Sequence, residues 1–401
     1  LDEIESKMRG CGWDMLELEE QGNIMYPITR LYGVDGFTSP EIRERIDRKS
    51  NIPAKLMEGI TEHVDRTAIS LYLLQNPIRK LFSNPHPSIN PANSRALSRP
   101  AGGADAHLDF HDTAHQSFKL PPAWGCYNAL SWAIAQLPDD MLEPKIGLIL
   151  PPTLTLMDDF EPAWRGRGCS VLQTWVNRFP AEIMKRMGLD RLLLDSTIHT
   201  LSLHANPPLP HVLPLALKLI SKTTQGAKRA ERLSEIMDKS IVRGWTYAPP
   251  GIEGRPVMIN IAHQLDLMCG VMGTGIVRWL KVRNPSRTCP ILTSKTIIPS
   301  LLGPLQYTPS PAVEQHFSAN LPALLLVMKT IEPTGRISRW RGQILHVCGI
   351  LAVNLRDRGM DERSADTAWR SNLQAQLKDV FALLGEHCPD THKVSHLLNR
   401  P

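Results

Sequence analysis

Two adjacent carboxylates, Asp158 and Asp159, close the apolar run in "ILPPTLTLMDDFEPAWRGRGCSVLQ", and Arg165 and Arg167 follow them. Such a pair could hold a metal ion or divide acid and base roles. Successive residues on a helix point about 100° apart, however, so the two could converge on one ion only at a helix end or in a loop. No HExxH, nucleophile elbow or phosphate loop accompanies them, which argues against catalysis. "HLDFHDTAH" sets His107, His111 and His115 four residues apart, a spacing that on a helix would line one face as zinc ligands do. The bland reading of that stretch is a polar lead-in to the helix expected after Pro122. "GVMGTG", Gly270 to Gly275, imitates a phosphate loop without the Lys-Ser/Thr ending, and small residues for close helix packing explain it better. His199, His204 and the scattered cysteines read as core or groove residues. No cofactor is expected.

A turn between two helices accounts for the Asp pair. The first helix would run to Met157; Asp158, Asp159, Phe160 and Glu161-Pro162 would make the turn, and the second would begin near Ala163 or Trp164 with acidic residues at its positive end. One carboxylate could then cap backbone N–H groups or be reached by an Arg of the next helix. Cys169, Leu172, Trp175, Val176 and Phe179 share one face of that second helix. Helical periodicity recurs along the chain, over 123–136, 181–204, 209–223, 229–242, 259–282, 312–331, 337–355 and 365–384, with little of the alternation a half-buried strand shows.

The 33 prolines stand largely at helix starts or between periodic runs. The pairs at 121–122, 151–152, 207–208 and 249–250 break the chain into blocks that suit stacked hairpins. The expected fold is all-α, an α-solenoid of degenerate HEAT-like hairpins. Residues 1–82 would form an N-terminal helical region, 83–107 a flexible loop rich in Pro, Asn, Ser and Gly, and 108–401 the helical array. Excising Asn90 to Gly103 should on this reading leave the fold nearly unchanged.

Composition narrows the rest. The 401 residues carry 45 basic and 40 acidic side chains, a net charge of +5 that does not by itself announce a nucleic-acid binder. Seven dispersed cysteines without a CxxC pair read as reduced thiols. No apolar run approaches the roughly 20 residues that cross a bilayer. The opening "LDEIESKMRG" lacks the apolar core of a signal peptide, and a start without Met leaves upstream residues open.

The stretch from Ile149 to Gln173 resembles a HEAT repeat, with Pro151 in the first helix, Asp159 in the turn and Arg165 opening the second. More particularly, it is similar to the signature of the second Tel-two-interacting protein family. "DTAHQSFKLPPAWGCYNALSWAIAQL" upstream and "MGLDRLLLDSTIHTLSLH" and "GTGIVRWL" downstream extend the likeness over roughly residues 104 to 355. The first hundred residues match only as generic helix. The resemblance implies a non-enzymatic scaffold subunit of the TTT co-chaperone complex, in the cytoplasm and nucleus. It would bind the first Tel-two-interacting protein, reach the Tel-two protein through it, and support maturation of phosphatidylinositol-kinase-related kinases with the heat-shock chaperone and its adaptor complex. No membrane or direct nucleic-acid partner is implied.

The exposed Arg and Trp residues expected to meet such a partner are Arg339, Trp340 and Arg341 before one C-terminal helix, and Arg356, Arg358 and Trp369 near its end and beyond. Three alternatives stay open: a transport or phosphatase-regulatory solenoid, a helical metal protein using the His107 cluster, and a solenoid binding nucleic acid.

Overall fold

The computed structural model describes residues 13–31, 65–83, 85–99, 101, 116–203, 211–280, 297–358 and 367–388. All regular elements among them are helical, and the all-α class expected from the hairpin pattern holds. Contacts divide the chain into two compact units, one of residues Leu1–Thr200 with Leu215–Gly226 and one of Leu201–Pro214 with Ala227–Pro401.

In the first unit α1 (Leu18–Leu31) and α2 (Arg66–Leu73) pack on each other and on α3 (Cys126–Gln136). Residues expected as a separate N-terminal region thus share this core. Asp65 caps α2 by accepting the Ala68 N–H at 3.0 Å. Pro77, which has no N–H to give, falls in a π-helical turn over Leu74–Ile78 that carries the chain on to Leu81.

The central hairpin is α4 (Ile146–Met157) and α5 (Pro162–Val176). Pro151 and Pro152 lie inside α4 and do not break it, contrary to the expected division of the chain there. Their missing N–H groups weaken the ladder, and close packing holds the helix instead. A Cβ on Gly168 of α5 would stand 2.5 Å from the Met157 nitrogen, so only glycine lets the two backbones meet. Cys169, Leu172, Trp175, Val176 and Phe179 are all buried, as their period requires.

The run over 181–204 is broken at Met187–Gly188 into α6 (Ala181–Arg186) and α7 (Leu189–Ser202). His199 on α7 is exposed, not a core residue, and His204 lies outside the described residues. From α8 (Val212–Thr223), Lys222 donates to the carbonyls of Val176 and Asn177 at 2.7 and 2.8 Å, which satisfies the end of α5.

The segment 85–99 corrects the flexible-loop reading. Ile89 and His86 are buried, Ile89 pairs with Ala96 in an isolated bridge, and the Ala96 N–H donates to the Met187 carbonyl at 3.0 Å. Asn90 and Asn93, the residue type that suggested disorder, accept the N–H groups of Ala92 and Arg95. Composition could not separate these local turns from an unfolded tract. Ile89→Ala is therefore expected to cost about 2 kcal/mol, read from the urea midpoint, where a loose loop would cost nothing.

In the second unit α9 (Gly226–Ile236), which the chain enters from the first, leads through a π-turn to α10 (Arg243–Tyr247) and then α11 (Arg255–Met272). Helices α12 (Ile297–Leu302), α13 (Glu314–Ile331), α14 (Arg341–Arg358) and α15 (Thr367–His387) follow. α13 is central, with Phe317, Leu321, Leu324, Val327 and Met328 buried against α11, α12 and α15.

The Gly270–Gly275 stretch ends α11 and opens a 3-10 turn. A helix C-terminus presents carbonyls and negative potential, the wrong end for phosphate. Close helix packing does not explain it either, because a Cβ on Gly270 or Gly273 would meet no atom within 4 Å.

Candidate functional site at the α4–α5 turn

The helix α4 ends at Met157 with Asp158 as its C-terminal cap residue, and α5 begins at Pro162. The two carboxylates diverge from this turn. Asp158 accepts the Ser196 hydroxyl of α7 at 2.7 Å and meets His86 Nε2 at 3.1 Å. His86 Nδ1 in turn accepts the Ser88 N–H, so Nε2 carries the ring proton that faces Asp158. Asp158 thereby ties α7 and the 85–99 segment to the end of α4.

Asp159 is 2 % exposed and forms an ion pair with Lys119 at 2.8 Å. One of its oxygens also accepts the Glu161 N–H at 2.8 Å, an Asx-turn that shapes the entry to α5. Lys119 reaches Glu161 as well, at 2.7 Å, and lies 4.2 Å from the centroid of the Phe160 ring.

The Asp159 to Arg165 spacing does matter, by a route other than the one expected. Arg165 donates to the backbone carbonyls of Asp159 and Phe160 at 3.0 and 2.9 Å, while the Asp159 carboxylate goes to Lys119. Burial lowers the Arg165 pKa, and the nearby Asp159 charge opposes that shift. Arg167 points elsewhere, stacked 4.4 Å from the Trp164 ring and 4.7 Å from Tyr127. Phe118 and Phe82 extend this aromatic row. Pro151 takes no part in the turn, although its carbonyl accepts the Thr155 hydroxyl at 2.9 Å.

The arrangement fixes conformation. Each carboxylate is held by separate partners, so the two are not set to share an ion. Among the described residues no three His, Cys, Asp or Glu stand together as metal ligands, and His107, His111 and His115 lie outside them. The described cysteines are buried, and burial raises the thiols of Cys126, Cys169 and Cys348 to about 12, far from a reactive thiolate.

Sequence reasoning missed His86, Lys119 and Ser196. They stand 72, 40 and 38 residues from the carboxylates they meet, and no local spacing marks them.

The Arg and Trp residues expected at a partner surface occupy two places in the second unit. Arg339 and Arg341 are exposed and Trp340 half-buried at the start of α14, with Arg356 fifteen residues on from Arg341, about 22 Å along the helix. Trp369 is half-buried near the start of α15, with the Arg370 guanidinium 5.4 Å from its ring. The side chain of Arg358 lies outside the described residues.

The family model described as the Tti2 family matches residues 35–299, more than half of the chain and a span that contains the α4–α5 hairpin. Neither the curated proteins nor the solved structures yield a match. No helix among the described residues is long and apolar enough to cross a membrane. With the all-helical architecture and the Asp-pair turn in place, the chain belongs to the Tti2 family, which gives it a role related to the TTT complex.

Proposed function

We propose that this chain is the non-enzymatic TTT subunit that binds the first Tel-two-interacting protein, the central scaffold of the complex, and reaches the Tel-two protein through it. In that role it supports the maturation and assembly of phosphatidylinositol-kinase-related kinases with the heat-shock chaperone and its adaptor complex, in the cytoplasm and nucleus. The single observation that carries the reading is the family match over residues 35–299. The chemistry of the α4–α5 turn supports it: carboxylates already held by internal partners suit a rigid support better than a reaction centre. HEAT-like hairpins stacked on one another leave ridges for a partner, which is how such arrays bind.

Purified chain should form a stoichiometric complex with the scaffold subunit, and depletion of the chain in cells should lower the abundance of the client kinases. Absence of binding between the two purified proteins would refute the reading. Replacing Trp340 and Arg341 together by Ala should weaken the complex by about 2 kcal/mol, the size of an interface hot spot. Unchanged affinity in a folded double variant would move the contact away from the start of α14.

A further inference from the structure

The last residue of α10 and the link that leads to α11, together residues 247–254, present two large side chains to solvent: Tyr247 is 65 % and Ile252 is 74 % exposed. Exposed apolar residues on a mobile loop would mean little. This link is held closed.

Trp245, two residues before Tyr247, is 1 % exposed and anchors α10 in the second unit. Pro249 and Pro250 restrict the backbone that follows. A Cβ on Gly254 would stand 1.9 Å from the Pro249 carbonyl oxygen, so the two ends of the turn are in contact and only glycine permits it. The Arg255 N–H donates to the Ile252 carbonyl at 3.2 Å, and its guanidinium donates to the Ala312 carbonyl at 3.0 Å, which ties the start of α11 to the lead-in of α13.

Large side chains on a backbone already fixed lose little entropy when they are covered, and this is the property of an interface anchor. Phe160 in the first unit is comparably exposed, but its ring lies against Lys119. No described aromatic or cationic side chain stacks on Tyr247.

Charge selects the partner. Arg243 is exposed one helical turn before Tyr247, the i to i+4 spacing that puts both on one face of α10, and it forms no ion pair among the described residues. A guanidinium beside an exposed aromatic calls for a carboxylate opposite it. The chain's net charge of +5 further favours an acidic partner over a second copy. Two exposed apolar side chains on a closed turn call for an apolar surface opposite them.

We infer that the 247–254 turn is a docking knob, with Tyr247 and Ile252 seated in an apolar groove of another protein and Arg243 paired with a carboxylate on its rim. Resting on the function proposed above, the groove belongs to the TTT scaffold subunit. The knob lies inside the residues matched by the family, 35–299, and apart in sequence from the Trp340 cluster.

The test is titration calorimetry of the full chain against the purified scaffold subunit. Tyr247→Ala with Ile252→Ser should weaken binding about 30-fold, the fold-change of a hot spot, with an unchanged urea midpoint because both side chains are exposed. Arg243→Glu should weaken it about 10-fold and abolish part of its salt dependence. Gly254→Ala, which forces the turn open while leaving all three contact residues in place, should also lose affinity. If the parent chain fails to bind, the proposed function falls and this inference with it. If the parent binds and the folded double variant binds equally well, the inference alone is overturned. Sedimentation of the chain by itself decides the remaining outcome: a dimer abolished by the double variant would put a second copy in place of the scaffold and overturn the assignment.

Discussion

Asp159→Ala lowers the stability of the first unit by about 3 kcal/mol, well beyond the effect of an ordinary helix cap. The carboxylate removed is almost fully buried, and it holds both the Lys119 ammonium and the Glu161 N–H. Its loss leaves Lys119, a half-buried cation, with Glu161 as its remaining carboxylate. Judged from sequence alone, the same substitution would cost about 1 to 2 kcal/mol, the value of a cap or one charge-assisted bond. Urea unfolding of Asp159→Ala beside Lys119→Met and the double variant measures the coupling. If the two single effects simply add, the buried pair is not the source of the loss.

His316→Leu flattens the acid side of the stability profile. His316 on α13 is 1 % exposed, neither ring nitrogen has a hydrogen-bond partner among the described residues, and the Tyr307 ring lies 6.3 Å away. Burial, with a smaller contribution from the positive charge of Arg255, lowers its pKa from 6.5 to about 4. Above pH 6.5 the ring is neutral in both folded and unfolded chains and costs nothing in protonation. Between pH 6.5 and 4 the unfolded chain takes up a proton that the folded chain refuses, so stability falls with pH by about 3 kcal/mol over the window. The leucine variant has no such proton to bind. Its urea midpoint at pH 7 is expected to equal or exceed the parent's, because two unpaired polar atoms leave the core, and the gap should widen at pH 4.5. Parallel pH profiles for the two proteins would rule out His316 as the titrating group.

The helical faces were legible in advance wherever apolar residues set a period, as Cys169, Leu172, Trp175 and Val176 do on α5. The turn itself was legible too, since an Asp pair, a Phe and a Glu-Pro step leave a helix few ways to continue. Its partners were hidden. Lys119 and Ser196 are single polar residues in unrelated segments, and polar contacts across 38 or 40 residues obey no period. The 85–99 segment misled for a related reason: Asn90 and Asn93, which bond nearby backbone, have the composition of residues that bond only water. Gly168 shows the opposite case, where one small residue inside α5 explains how α4 keeps its form around two prolines.

The route of the chain between the two units has a consequence for synthesis. Residues 215–226 return to the first unit after 201–214 have already been given to the second. A protein cut at residue 200 is therefore no domain, because it lacks Lys222 and leaves the carbonyls of Val176 and Asn177 without that donor. On the ribosome the same order applies. The first unit stays unfinished until residue 226 has emerged, at least 26 residues, or on the order of a few seconds of elongation, after residue 200. Throughout that interval Leu215, Leu219 and Ile220, all buried in the finished unit, have yet to cover its apolar edge.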